Sequence, residues 1–178
     1  GDMARAAHRR AVCPRIAYMP QGLGRNLYMD LTVAENLDFF GMLFGQGQEE
    51  RRARIDTLLA ATGLSPFPDR PAGKLSGGMK QKLLIAIALG RDAKVLIMDE
   101  PTAALGVKET AQVLDLIRHL KAEGRTVILI SHNMRDVVAL ADRIAILKGG
   151  RKVHDLVNKG LAPDDVSHLI MAAPEVAA

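Results

Sequence analysis

Val95-Leu96-Ile97-Met98-Asp99-Glu100-Pro101 sets four apolar residues in a row against two acids and a proline. So short and unbroken a run reads as a strand of a parallel sheet buried on both faces, because a strand with one wet face would alternate. The two acids then stand at its carboxyl end, the place where open α/β sheets bind ligands. Just downstream, Val113, Leu116, Ile117 and Leu120 recur at helical spacing, which predicts a helix over 108–123 with Gly124 as its stop. Thr126-Val127-Ile128-Leu129-Ile130 follows as a second buried strand. Strand, helix and strand in this order make a βαβ unit with parallel pairing and a right-handed crossover.

Working outward, Arg15-Ile16-Ala17-Tyr18-Met19 reads as a further strand, stopped by Pro20 and running into a loop that begins at Gln21. Thr32 and Glu35 have capping-box spacing, and Val33, Leu37, Phe40 and Phe44 share one face, so a helix is expected over 32–44. A second helix passes through the charged stretch 49–54, faces a core with Ile55, Leu58, Leu59 and Thr62, and stops at Gly63. Residues 65–73 are a Pro-rich connector. Ser76 caps a helix over 77–89, whose apolar face carries Leu83, Leu84, Ile87 and Ala88. A helix over 134–141, a hairpin of 143–148 and 151–154 around Gly149-Gly150, and a short helix over 164–171 complete the chain. The expected fold is an α/β parallel-sheet core with a helical insertion over 31–73 and a hairpin and helix over 142–178.

Composition narrows the function classes. The 178 residues, 48% of them hydrophobic, suit one domain with a buried core. A net charge of +4, with no run long enough to act as a basic arm, predicts no nucleic-acid partner. The one cysteine, Cys13, allows no internal disulfide, which points to a reducing, cytoplasmic setting. No apolar run approaches the ~18 residues of a membrane span, so membrane association is expected only through a partner. Gly1-Asp2-Met3 leads almost at once into the first strand, and the chain reads as a fragment.

The residues that carry chemistry occur in a fixed order. After Gln21 comes Leu75-Ser76-Gly77-Gly78-Met79-Lys80-Gln81, where Ser76 opens a helix and the glycines leave its N-terminal N–H groups approachable by phosphate. By itself Ser-Gly-Gly is equally a plain helix cap. Asp99 and Glu100 follow their strand, and His132 follows the next in Ile130-Ser131-His132, so the three are expected to line one sheet edge. Taken alone they would read as solvated acids and a structural histidine, as His8, His119, His154 and His168 are read.

In conjunction, the four elements resemble the Q-loop, signature motif, Walker B strand and switch histidine of ATP-binding cassette (ABC) ATPases, over nearly the whole chain. The resemblance implies a P-loop NTPase-like sheet and the cofactors ATP and Mg²⁺. It assigns Ser76, Gly77, Gly78 and Gln81 to a nucleotide held by an opposite subunit, and Asp99 and Gln21 to the metal. Glu100 becomes the general base toward water, and His132 a γ-phosphate partner that keeps the water and Glu100 in register. Gln21, a catalytic residue in this scheme, would also report nucleotide state to a partner. The partners implied are a second ABC ATPase domain, in a homo- or heterodimer, and transmembrane transporter subunits seated on the helical insertion near Gln21 to Phe44. That puts the protein in the cytoplasm, peripheral to the inner or plasma membrane.

Three features qualify this scheme. G-x-x-x-x-G-K-[ST] does not occur, since Gly73-Lys74 is followed by Leu75, so the chain is expected to be cut downstream of its phosphate loop. Residues 19–28 resemble ribosome-associated and exporter-type ABC ATPases, whereas 98–106 and 147–150 resemble those of monosaccharide importers. Gly106 stands where many relatives carry an aspartate that contacts the other subunit. Two rivals to a transporter ATPase are a soluble ABC ATPase of ribosomes or nucleic acid, and a non-catalytic half that lends its signature motif to a partner's ATP. Intact Glu100 and His132 argue against the last.

Overall fold

A computed structural model describes residues 2–22, 26–103 and 105–172. The chain divides into two compact units, Gly1–Ile130 and Ser131–Ala178.

The first unit contains α1 (Ala6–Val12), β1 (Ile16–Met19), α2 (Val33–Leu43), α3 (Gln48–Thr62), α4 (Gly77–Gly90), β2 (Val95–Asp99), α5 (Val107–Ala122) and β3 (Thr126–Ile130). The strands form a parallel sheet in the order β1-β2-β3, with Met19 opposite Met98 and Asp99 opposite Ile130. This register brings the end of β1, the Asp99–Glu100 pair and the end of β3 to one edge. α1 is the element that the sequence reading missed. Its alanines favour helix, but it buries no residue, so it has no apolar stripe to read.

Local chemistry accounts for the helix boundaries. Thr32 Oγ1 accepts from the Glu35 N–H at 3.2 Å while the Glu35 carboxylate accepts from the Thr32 N–H at 2.7 Å, a closed capping box. Those bonds hold the Glu35 carboxyl below its ordinary pKa. α3 ends on Gly63 at φ 67, a left-handed stop that costs glycine nothing. α2, α3 and α4 pack on one another as the helical insertion meets the core.

The sheet departs from expectation on one face. Ala17, Met19, Leu96 and Met98 are buried, with α4 against β1 and α5 against β3. On the other face Tyr18, Ile128 and Ile130 are exposed at 55%, 48% and 48%, and Val95 and Ile97 are only half-buried. The expectation of strands buried on both faces is therefore corrected: the unit's helices cover a single side, and the continuous apolar runs make the other an open apolar surface.

The second unit holds α6 (Met134–Leu140), β4 (Arg143–Lys148), β5 (Arg151–Val157) and α7 (Pro163–Ala172). Gly149 and Gly150 take φ 55 and 72 in the two-residue turn between the antiparallel strands, the conformation of a primed hairpin turn. β5 runs three residues past the predicted end at His154, because Asp155, Leu156 and Val157 pair with Ala145, Ile144 and Arg143. Ile144, Ile146 and Val166 form its core, with Val137, Val138 and Leu169 packed around them.

Candidate nucleotide site

Asp99 closes β2, half-buried, on the open face of the sheet. Its Oδ2 accepts a hydrogen bond from the Tyr18 hydroxyl at 3.1 Å. Glu100 then takes φ 48, a left-handed conformation that is strained for any residue but glycine and characteristic of functional turns. Its N–H donates to Ile130 O at 2.8 Å and its carbonyl accepts from the Ala103 N–H at 3.1 Å, so the turn is pinned to the end of β3. The following Pro101 is fully buried.

The signature segment opens α4 as its sequence implies. Ser76, at φ −65 and ψ 164, is the N-cap, and its hydroxyl accepts from the Met79 N–H at 3.3 Å. Gly77 is half-buried and Gly78 buried. A Cβ on Gly78 would lie 2.5 Å from Glu109 Cγ, so only glycine lets the first turn of α4 approach α5 this closely.

Gln81 is placed otherwise than expected. It is 3% exposed and its Nε2 donates to the Pro101 carbonyl at 2.6 Å, so it faces the turn after Glu100 and has no surface for a nucleotide. The reason is helical phase: Gln81 lies on the side of α4 that faces the Pro101 turn, one turn beyond Gly77 and Gly78. Gln21 is exposed, two residues past the end of β1 and hence at the same sheet edge as Asp99. Its loop continues through 23–25, which lie outside the described residues. His132 is exposed and belongs to the second unit.

Sequence reading passed over Asn36, which organises the far end of that loop. The residue is fully buried; its Oδ1 accepts from the Tyr28 N–H, and its Nδ2 donates to the carbonyls of Tyr28, Leu31 and Thr32. A signal was present: Asn36 falls on the apolar stripe between Val33 and Leu37, where a polar residue is retained only if its bonds are met.

The sequence profile of ABC transporters matches residues 2–103. This chain belongs to the ABC transporter family. Among curated relatives of this ABC chain, the cobalt import ATP-binding protein CbiO of Rhodobacter capsulatus is 41% identical over 120 residues, covering 67% of this chain and 43% of the relative. The Nod factor export ATP-binding protein I of Burkholderia lata is 37% identical over 150 residues, covering 84% and 48%. A solved structure, cbiO1 from Clostridium perfringens, described as part of the ABC transporter complex cbiONQ, superposes with a TM-score of 0.78 at 27% identity, covering 92% of this chain and 63% of that one. The ABC chain therefore spans less than half the length of these two curated relatives.

Proposed function

We propose that this chain is part of an ATP-binding and ATP-hydrolysing subunit of an ABC transporter, one that couples hydrolysis to transport through membrane-spanning partners. The observation that carries the reading is the Asp99–Glu100 turn: two carboxylates at the carboxyl end of the central strand, the second held in a strained left-handed conformation, within a chain of this family. Among the described residues no three His, Cys, Asp or Glu side chains converge as a metal cage. The Asp99 carboxylate suits Mg²⁺, which takes one or two carboxylates and fills the rest of its shell with phosphate and water oxygens. Asp99 would hold the ion, with Gln21 beside it, and a bound MgATP would supply the phosphoryl group for transfer. Glu100 would accept a proton from the attacking water, and His132, by the family pattern, would hydrogen-bond the terminal phosphate. Ser76, Gly77 and Gly78 present the N-terminus of α4 to the phosphate of a nucleotide bound by a second ATPase domain.

Among the described residues no helix is long and apolar enough to cross a membrane, which fits a subunit peripheral to the membrane on its cytoplasmic side. The seat for a membrane-spanning partner is the cleft of about 440 Å³ beside β1, lined by Tyr18, Tyr28, Phe40, Phe44, Ile87 and Arg91. One relative is named for import and another for export.

The test joins a segment that carries G-x-x-x-x-G-K-[ST] to the front of this chain and measures phosphate release from MgATP. The fusion should turn over, and Glu100→Gln should keep ATP binding while losing about 10²- to 10⁴-fold in rate. A folded, ATP-binding fusion without turnover would overturn the hydrolase reading; near-parental turnover by Glu100→Gln would remove Glu100 from its role.

A further inference from the structure

Gln81 is bonded on one side only. Its Nε2 donates to Pro101 O at 2.6 Å across 20 positions of sequence, and its buried Oε1 has no hydrogen-bond partner among the described residues. Burying an amide with half its capacity unmet is costly, and a methionine of similar size would fill the space without that cost. The bond it does make falls on a particular place. Pro101 immediately follows Glu100, whose φ of 48 persists only if the surroundings over-determine it. Two of the contacts that hold this turn, Glu100 N–H to Ile130 O and Ala103 N–H to Glu100 O, are backbone to backbone. The Gln81 bond adds a side chain, and it comes from the helix that opens with Ser76, Gly77 and Gly78.

We infer that Gln81 is a positioning residue for Glu100: its amide ties the first turns of α4 to the Glu100–Pro101 turn and keeps the Glu100 backbone in its strained conformation. The inference rests on the function proposed above. In that setting it has a mechanical consequence, because the helix end that meets one nucleotide's phosphate is joined by one bond to the backbone that aims the base at another. A shift of α4 on engagement or release of that phosphate would move Pro101, and with it the Glu100 carboxylate.

Amide hydrogen exchange on the 178-residue chain tests the tie without any nucleotide. Gln81→Met keeps the volume and removes the donor. Exchange at Ala103 should rise by about tenfold or more, with Val127, Ile128 and Leu129 in β3 unchanged. No change at Ala103, or a rise shared by the whole sheet, would overturn the inference. In the fusion, Gln81→Met should lower kcat by about 10- to 100-fold with KM for MgATP unchanged, and should add nothing to Glu100→Gln. Equal losses in the parental and Glu100→Gln backgrounds would show that Gln81 acts without Glu100, against the inference. Failure of the function itself would look different: Glu100→Gln would match its parent, and the exchange result would still decide the tie.

Discussion

The Tyr18 hydroxyl donates to Asp99 Oδ2 at 3.1 Å, linking neighbouring strands on the open face of the sheet. The pairing is diagonal: Tyr18 sits opposite Ile97, and Asp99 is two residues further along, within reach of a long aromatic side chain. One oxygen of the proposed metal ligand is thereby engaged and its orientation set.

The same bond predicts how Tyr18 titrates. Ionising the phenol would lose the hydrogen bond to Asp99 and set two negative charges together, so its pKa lies above the ordinary 10.0. A raised value means that the contact stabilises the fold below the ordinary value and is lost as pH rises through the raised one. The chain has two tyrosines, so Tyr28→Phe leaves Tyr18 alone to be followed by phenolate absorbance. Its midpoint should stand above 10.0 and return toward it in Asp99→Ala. A midpoint indifferent to Asp99 would deny the contact in solution.

Gly78 supplies a second prediction. A helical Gly→Ala exchange ordinarily gains about 1 kcal/mol. Here the new Cβ would lie 2.5 Å from Cγ and 2.8 Å from Cβ of Glu109, atoms near the α5 backbone with little room to give. Overpacking of this kind costs about 1–3 kcal/mol, so Gly78→Ala should be net destabilising in urea denaturation. Adding Glu109→Ala should recover part of the loss, which makes the pair non-additive. A more stable Gly78→Ala would mean that α4 and α5 are not so close.

Asp155 governs the acid limb of the second unit. Arg143 Nε lies 2.5 Å from one of its carboxylate oxygens and Lys152 Nζ 2.6 Å from the other, and the two cations hold the carboxyl well below its ordinary 3.8. A depressed folded pKa contributes stability above the ordinary value that is lost as pH falls below 3.8 toward the folded one. Asp155→Asn should therefore loosen the β4–β5 hairpin at neutral pH, read by amide exchange, and the difference from wild type should vanish in strong acid. A deficit that stays constant through the acid range would count against the ion pairs.

Much of this architecture was legible because its signals are local. The βαβ unit around α5 needs only apolar runs and one helical stripe, and the Thr32–Glu35 cap and the Gly149–Gly150 turn are dictated by a few neighbouring residues. What escaped is non-local. An apolar run on β3 looks the same whether one face of the sheet is covered or both, so the exposure of Ile128 and Ile130 had no signature. Gln81 read as part of a phosphate-binding motif because spacing along a helix does not say which neighbour its side chain meets. Pro101 comes from a different segment, and nothing in the signature stretch announces it.

The chain as it stands should bind MgATP weakly or not at all. Most phosphate contacts in P-loop enzymes come from the backbone N–H groups of the glycine-rich loop and its lysine, and no G-x-x-x-x-G-K-[ST] occurs in these 178 residues. What the chain offers is Asp99 and Gln21 toward the metal, His132 toward the terminal phosphate, and the N-terminus of α4, which in this reading meets a phosphate already gripped elsewhere. These few groups hold little of a triphosphate's charge in water, where they act under strong dielectric screening. Titration calorimetry of the purified chain with MgATP should therefore give no saturable heat at micromolar nucleotide, and a phosphate-release assay should give no turnover. The fusion with a phosphate-loop segment should gain both. Micromolar binding with repeated turnover by the 178-residue chain would mean that other residues form the cradle, and the assignment of phosphate contacts would have to be rebuilt around them.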